Sequence, residues 1–240
     1  MSETGGTSLR DERGFNQGFA LVGSTVERMQ RRNHWFVDRI AEVGAKRVLE
    51  LGCGTGETAD YIAAHSSAEV VAVDISEAFI GAARQRFQRA NLRYETLDLL
   101  GPAPREFGSF DMVCGNGILH HLVARLPEVL ASLRGISNPG GTLAFIEPNF
   151  TNPYCAFIFG TAIGRRWANL EPDEMAFMAG ELRRALAASG WHTVEVATRD
   201  FVVPGLPEAL VGPIISMEPV LEATALTRWL AQSHFFTARA

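Results

Sequence analysis

A glycine-rich segment is the first part of the chain with the composition of a ligand-binding loop. It reads V-L-E-L-G-C-G-T-G and places glycines at Gly52, Gly54 and Gly56. Glycine lets the backbone turn tightly and approach a ligand closely, because it has no Cβ. The spacing differs from the G-x-G-x-x-G pattern of nicotinamide-binding loops, since Glu57 stands in the place of the third glycine. A plain glycine turn remains an alternative for the loop by itself.

Three acidic residues recur at regular intervals around this loop. Glu50 lies two residues before its first glycine, where a carboxylate repels a phosphate and suits a cationic ligand. Asp74 follows 24 residues later, at a place where a carboxylate can accept hydrogen bonds from both hydroxyls of a ribose. Asp98 follows after a further 24 residues. The repetition indicates one ligand site built from successive parts of the chain.

A pair of histidines and a third acidic position could supply proton transfer. His120 and His121 directly follow an apolar run, and Glu147 ends the next one. An imidazole titrates near neutral pH and can take a proton from a reacting hydroxyl group. The alternative is that one of the histidines only caps or packs the following helix. For Glu147 two interpretations stay open: it orients a histidine or binds a reactant, or it caps the turn at Pro148.

These residues need a scaffold that brings their positions together. Short apolar runs alternate with amphipathic helical stretches, which is typical of a mostly parallel sheet covered by helices on both faces. The pattern predicts strands over residues 47–51, 69–73, 92–95, 110–114, 142–147, 191–196 and 233–239. It predicts helices over 57–65, 76–87, 126–136 and 172–190, and a turn over 138–141. The last strand is expected to close the sheet edge, and all candidate side chains then lie at carboxyl ends of strands, where such sheets bind ligands.

The chain length of 240 residues favours one domain. We expect residues 1–18 to form a flexible tail and residues 19–240 a single domain. Within it, residues 19–44 are expected to form a helical cap of one or two helices. Residues 148–170 are expected to form an insertion rich in aromatic residues over the ligand-binding face.

Composition excludes several classes of function. The formal net charge of −5, with 27 acidic against 22 basic residues, disfavours a nucleic-acid partner. Asn152-Pro153-Tyr154 resembles the Asn-Pro-Pro-Tyr motif of some enzymes that modify DNA and protein, but it follows the wrong strand and is interpreted as a turn. The three cysteines match no metal-ligand spacing, and no apolar run is long enough for a membrane span. We therefore expect a cytoplasmic protein without a membrane or metal partner.

The chain resembles the class I S-adenosylmethionine-dependent methyltransferases. The resemblance rests on the glycine loop, Asp74, Asp98, the stretch F-D-M-V-C-G-N-G-I-L-H-H-L and the P-G-G-T-L segment, and it is close between Trp35 and Glu147. It implies a seven-stranded sheet whose last strand runs antiparallel. It also implies S-adenosyl-L-methionine as cofactor and S-adenosyl-L-homocysteine as product.

The resemblance implies a set of cofactor-binding residues. They are Glu50, Gly52, Cys53, Gly54, Gly56, Asp74, Ile75, Asp98, Leu99 and Asn116. Asp74 would hold the ribose, Asp98 and Leu99 would meet the adenine, and Glu50 would orient the loop and the methionine amine. Arg32 and Asn33 are candidates for reaching the cofactor carboxylate.

The expected reaction is methyl transfer to a small, partly apolar acceptor such as a natural product, a quinone-like or a sugar-like compound. We expect O-methylation, with His120 or His121 as general base and Glu147 as the third catalytic residue. N-methylation, C-methylation and a non-catalytic cofactor-binding protein are the alternatives, and a nicotinamide oxidoreductase is disfavoured by Glu50. Neither the acceptor nor the choice between monomer and homodimer follows from the sequence.

Overall fold

The computed structural model describes residues 24–101, 107–203 and 206–240. The expected flexible tail, residues 1–18, and the first five residues of the expected cap lie outside these ranges. The expected cap is represented by one helix, α1, over Ser24–Val43.

A mixed sheet of seven strands forms the centre of the described part of the chain. Its strands are β1 Arg47–Leu51, β2 Glu69–Asp74, β3 Leu92–Thr96, β4 Phe110–Asn116, β5 Ser137–Pro148, β6 His192–Arg199 and β7 Ser233–Arg239. They are ordered β3-β2-β1-β4-β5-β7-β6. Strands β1 to β5 pair in parallel, and β7 pairs antiparallel with both β5 and β6. The predicted α/β class, the seven strands and the antiparallel last strand are confirmed.

Two sequence-based predictions about the sheet are wrong. Strand β7 does not close an edge but lies between β5 and β6, because its nearly continuous apolar run is buried on both faces. The turn predicted over residues 138–141 is part of β5, and the pairing with β4 shifts register between Phe110 and Met112. Gly140 has a φ of 77°, so the Pro-Gly-Gly segment is accommodated by a local irregularity that leaves the strand continuous.

Helices cover both faces of the sheet. Besides α1 they are α2 Glu57–His65, α3 Glu77–Arg86, α4 Leu126–Gly135, α5 Pro153–Gly160, α6 Ala162–Trp167, α7 Ala179–Ala188, α8 Glu208–Ala223 and α9 Ala225–Arg228. One face packs against α1, α2 and α3, and the other against α4 and α7. Two short 3-10 turns, Leu119–His121 and Val123–Arg125, follow β4.

Two helix boundaries differ from the sequence-based prediction. The helix predicted to begin at Pro172 begins at Ala179, because the preceding segment is irregular and Phe177 bridges to Asn149 instead. The Asn152-Pro153-Tyr154 segment is a helix start and not a free turn. The Asn152 side chain accepts hydrogen bonds from the backbone N–H groups of Tyr154 and Cys155 at the beginning of α5.

Helix α1 connects the core with the ligand-binding edge of the sheet. Phe36 and Ile40, in its C-terminal half, are buried in the core. Its N-terminal half reaches the carboxyl ends of the strands, where Arg32 contacts Asn116 at the end of β4. None of the helices in the described ranges has the length and apolarity needed to cross a membrane.

Candidate active site

The glycine loop joins β1 to α2 at the carboxyl edge of the sheet. Its glycines have positive φ values, 64° at Gly52, 53° at Gly54 and 91° at Gly56. A Cβ on Gly52 would approach the Ile118 side chain to 2.6 Å, whereas a Cβ on Gly54 would meet nothing within 4 Å. Gly52 is therefore required for packing, and Gly54 borders open space that a ligand can enter.

Strand β2 holds this loop in place. The Cys53 backbone N–H donates to the Val73 carbonyl at 3.0 Å, and the Gly54 N–H donates to Asp74 Oδ2 at 2.9 Å. Asp74 Oδ1 accepts from the Ser76 N–H at 3.0 Å. Because a carboxylate has about four acceptor positions, Asp74 keeps capacity for a ribose while it shapes the loop.

Glu50 is a buried acid beside the loop. Its side chain is 2% exposed, and Oε2 has no hydrogen-bond partner among the described residues. Burial, together with the charges of Glu57 and Asp74, raises the pKa of Glu50 to about 8. A buried carboxyl oxygen without a partner is costly unless a ligand satisfies it, so this position fits a cationic group such as the methionine amine of the expected cofactor.

The expected adenine end of the site lies after β2 and β3. Ile75 is 50% exposed. Asp98 Oδ1 accepts from the Leu100 N–H at 2.9 Å, and Asp98 and Leu99 border a small, mainly apolar cavity of about 20 Å³. The polar and apolar groups expected around an adenine are thus next to each other.

Asn116 ends β4 and is bound from α1. Arg32 donates from Nη1 to Asn116 Oδ1 at 2.9 Å, and the same guanidinium contacts Asp200 and Ser233. Asn33 points elsewhere, because its Oδ1 accepts from the Thr58 hydroxyl at 2.8 Å. The geometry therefore connects Arg32, but not Asn33, with the residues expected around the methionyl group.

The turn after β4 is organised by Glu147. Glu147 is 1% exposed, and its carboxylate accepts from the backbone N–H groups of Ile118, Leu119 and His120. Its Oε2 also lies 2.9 Å from Nδ1 of His120. Glu147 thus holds both the turn and the ring of His120.

Two further acids, Glu171 and Glu174, complete the cluster around the histidines. Nε2 of His120 lies 3.5 Å from Oε1 of Glu174, and Nδ1 of His121 lies 3.4 Å from the same oxygen. Nδ1 of His121 is also 3.3 Å from Oε2 of Glu171. The two imidazole ring centroids are 4.1 Å apart.

The two imidazoles have pKa values that are shifted in opposite directions. Burial opposes a charged His120, but the carboxylates of Glu147 and Glu174 outweigh it and raise the pKa of His120 to about 9. Burial and the charge of His120 lower the pKa of His121. At neutral pH His120 is therefore an imidazolium, and His121 is the neutral ring that can accept a proton.

The same cluster has a donor set that could hold a metal ion. His120, His121 and Glu174 each offer a ligand atom, and these atoms lie within 4.8 Å of one another. Two imidazoles and a carboxylate suit divalent transition metals.

Sequence reasoning missed three residues of this edge. Glu174 fell in the segment predicted to be helical and Glu171 directly precedes that segment, and their positions on either side of Pro172 were the available signal. Asp200 directly follows β6, so the strand-end rule that selected Asp74 and Asp98 would have selected it too.

Comparison with known proteins agrees with this geometry. Residues 49–143 match the family model described as a methyltransferase domain. Residues 49–143 are thus similar to a methyltransferase domain. The chain is 29% identical over 191 residues to trans-aconitate 2-methyltransferase of Variovorax paradoxus, which covers 78% of this chain and 67% of that protein. It is 33% identical over 150 residues to an uncharacterized protein of Synechococcus sp., which covers 60% of this chain and 33% of that protein.

The fold of the chain is also found among solved structures. An S-adenosylmethionine-dependent methyltransferase from Mesorhizobium loti superposes with a TM-score of 0.62 at 22% identity, covering 88% of this chain and all of that one. The expected resemblance to class I methyltransferases is thus confirmed. The chain spans only about a third of the length of its Synechococcus relative.

Proposed function

We propose that this protein transfers a methyl group from S-adenosyl-L-methionine to an oxygen atom of a small-molecule acceptor. The observation that carries the proposal is the buried, unpartnered Oε2 of Glu50 beside the open position at Gly54. A buried carboxyl group whose Oε2 has no partner among the described residues fits a positively charged ligand and would repel a pyrophosphate. The structurally similar Mesorhizobium loti protein is an S-adenosylmethionine-dependent methyltransferase, which supports the same cofactor.

The chain's own residues suit each part of this cofactor. Glu50 would receive the methionine ammonium group, Asp74 the ribose hydroxyls, and Asp98 with Leu99 and Ile75 the adenine. Asn116 would lie beside the methionyl group. When bound, the cofactor supplies an electrophilic methyl carbon, and the residues around it position the acceptor for an in-line approach.

His121 is the proton acceptor in this proposal. Its Nδ1 faces the carboxylates of Glu171 and Glu174, so Nδ1–H can donate to them and the Nε2 lone pair remains available. Protonation of Nε2 would then be stabilised by the same two carboxylates. His120, already an imidazolium, acts as a positioning residue because it anchors Glu174 beside His121.

Glu147 supports the reaction through structure. Its carboxylate carries the turn that presents both histidines, and it is fully engaged with backbone N–H groups and the His120 ring. Of the two interpretations left open by the sequence, these contacts support the one in which Glu147 orients a histidine.

The acceptor side consists of the N-terminal half of α1 and the segment from residue 148 to 170. Phe159 of α5 packs edge-on against the ring of His120, with centroids 5.9 Å apart. An aromatic group beside the imidazole pair supports a partly apolar methyl acceptor and the exclusion of water. The acidic net charge supports a partner other than nucleic acid, and a cytoplasmic location remains our prediction.

Two measurements test the proposal. The first is calorimetric titration with S-adenosylhomocysteine, with NADH as the control ligand; stoichiometric binding of the first alone is expected, and binding of NADH would contradict the proposal. The second is incubation with S-adenosylmethionine labelled in the methyl group and a panel of small hydroxylated, amine-bearing and carbon acceptors. Label found in an O-methyl product supports the proposal, and label found only in N-methyl or C-methyl products overturns its choice of oxygen.

A further inference from the structure

A second cavity, of about 170 Å³, adjoins the candidate active site. Four arginines line it: Arg28, Arg31 and Arg32 from α1, and Arg199 from the end of β6. Arg32 connects this arginine cavity with Asn116, the residue expected beside the methionyl group. The cavity therefore opens next to the place where the methyl group is delivered.

The arginine cavity has more positive than negative charge. Asp200 is shared by Arg28 and Arg32, Glu218 contacts Arg31, and Glu222 lies 3.7 Å from Arg199. Among the described residues, three carboxylates thus accompany four guanidinium groups. This excess of one positive charge occurs in a chain whose net charge is −5.

Two of the arginines keep unused donors. Arg28 donates from Nε to Asp200 and from Nη2 to Ser233, and its Nη1 has no partner among the described residues. Arg31 uses only Nη2, toward Glu218, within the same ranges. Their side chains are 18% and 34% exposed, so both can reach a ligand in the cavity. In contrast, each of the three guanidinium nitrogens of Arg32 has a partner, among Asp200, Ser233 and Asn116.

Asp200 holds this arrangement at a conformational cost. It is a non-glycine residue with a φ of 76°, a region that side chains rarely adopt and that recurs at functional sites. It is 4% exposed, and its Oδ1 has no hydrogen-bond partner among the described residues. Burial opposes its ionisation, but Arg28 and Arg32 outweigh this effect and lower the pKa of Asp200. The charged Asp200 therefore fixes both guanidinium groups at the cavity wall.

Another part of the lining is aromatic. Trp35 of α1 and Phe235 of β7 border the cavity, and their rings meet edge to face with centroids 5.2 Å apart. An apolar wall beside two free guanidinium donors suits a flat organic anion.

We propose that the arginine cavity binds an anionic group of the methyl acceptor, a carboxylate or a phosphate, through Arg28 and Arg31. Arg32 lies between this anionic group and Asn116, so the anionic group is not the one that is methylated. It holds the acceptor in place while a different group of the same molecule receives the methyl group. This inference rests on the proposed function for the identity of the ligand as an acceptor. The anion site itself can be tested without turnover.

The experiment is calorimetric titration of the full chain, saturated with S-adenosylhomocysteine, with 4-hydroxycinnamate, its uncharged amide 4-hydroxycinnamamide, and inorganic phosphate. We expect the carboxylate to bind roughly 10-fold or more tightly than the amide, since hydrogen bonds to charged groups are at stake. Added salt should weaken binding of the carboxylate and leave the amide unchanged. Equal affinity of carboxylate and amide, or no binding of either the carboxylate or phosphate, would overturn the proposal.

Variants locate the site. Arg28→Gln, and the double variant Arg31→Gln with Glu218→Gln, should each weaken binding of the carboxylate roughly 10-fold, and the double variant avoids leaving Glu218 buried without a partner. Arg125→Gln removes an exposed arginine elsewhere and serves as the matched control. Unchanged carboxylate affinity in both cavity variants would contradict the site. Retained binding of S-adenosylhomocysteine shows that a variant is folded. If the unaltered chain does not bind S-adenosylhomocysteine, that result counts against the proposed function and not against the anion site. The anion titration is then carried out on the protein without S-adenosylhomocysteine.

Discussion

Nδ1 of His120 lies 2.9 Å from Oε2 of Glu147. His120 is in the turn after β4, and Glu147 is near the end of the neighbouring strand β5. Glu147 also accepts backbone hydrogen bonds from the turn that carries both histidines. One buried carboxylate at a strand end therefore sets the position of His120 and, together with Glu174, its charge. That charge in turn leaves His121 as the neutral ring, so two adjacent histidines have different roles.

Replacement of Asp74 by Ala should weaken binding of S-adenosylhomocysteine at least 10-fold, a rough expectation for losing a carboxylate that bonds both the ligand and the Gly54 N–H. Calorimetric titration measures the change. Asp38→Asn, which alters an exposed acid of α1, is the matched control. Wild-type affinity in the Asp74 variant would contradict the assignment of this residue to the ribose.

Binding of the cofactor product should release a proton from Glu50. The raised pKa of about 8 leaves Glu50 mostly protonated at pH 7, and an incoming ammonium group favours its ionised form. The binding enthalpy should therefore depend on the ionisation enthalpy of the buffer, and affinity should increase from pH 7 to pH 8.

The variant Glu50→Gln should abolish this proton release and weaken binding, while Glu77→Gln, at an exposed position of α3, should change neither. If the unaltered chain binds with the same enthalpy in all buffers, Glu50 does not contact the ammonium group.

His121→Gln should reduce turnover at least 100-fold, roughly the contribution of a general base, without loss of S-adenosylhomocysteine affinity. Because the pKa of His121 lies below its ordinary value, turnover of the unaltered chain should be constant near neutral pH and fall only on acidification. The pH profile of kcat with an identified acceptor checks this. Full turnover in the His121 variant would remove the general-base assignment.

Stability should decrease as pH rises from 6.5 to 9. The pKa of His120 is raised from 6.5 in the unfolded chain to about 9, so its contribution is complete below pH 6.5 and is lost as pH rises through 9. The pKa of Glu50 is raised from 4.5 to about 8, so its contribution to stability also decreases as pH rises between those two values.

Urea unfolding at several pH values should thus show a falling free energy of unfolding between pH 6.5 and 9. His120→Gln should flatten this decline, and His192→Gln, at an exposed position of β6, should leave it unchanged. A free energy of unfolding that rises over this range would contradict the charged state of His120.

Zinc ions should inhibit the enzyme, because His120, His121 and Glu174 could bind Zn²⁺ and so occupy the proton acceptor. Magnesium ions, which prefer oxygen ligands, should not inhibit. EDTA should leave activity unchanged, in keeping with the prediction of metal independence. Activity lost in EDTA and restored by a divalent ion would show that the cluster is a working metal centre.

Much of the cofactor side could be predicted from the sequence alone. The glycines of the loop and the acids at 50, 74 and 98 belong to local patterns, since each follows or ends a strand recognisable by its apolar run. In a parallel sheet all such positions reach the same edge, so their proximity follows from strand periodicity without knowledge of packing. The seven strands were accessible for the same reason. The antiparallel direction of β7 was expected only from the family resemblance, and its place between β5 and β6 was not predicted.

The acceptor side was decided by tertiary structure. The pairing of His120 with Glu147 joins residues 27 positions apart, and that of Arg32 with Asp200 joins residues 168 apart. Which of many acids meets a given histidine or arginine depends on helix packing and on side-chain orientation, which no local pattern encodes. The sequence by itself determined the fold class and the glycine loop to which we assign the cofactor. Only the packing of α1 and of the segment before α7 against the sheet decided which histidine is charged and where an arginine cavity opens, because those charges depend on burial and on distant partners.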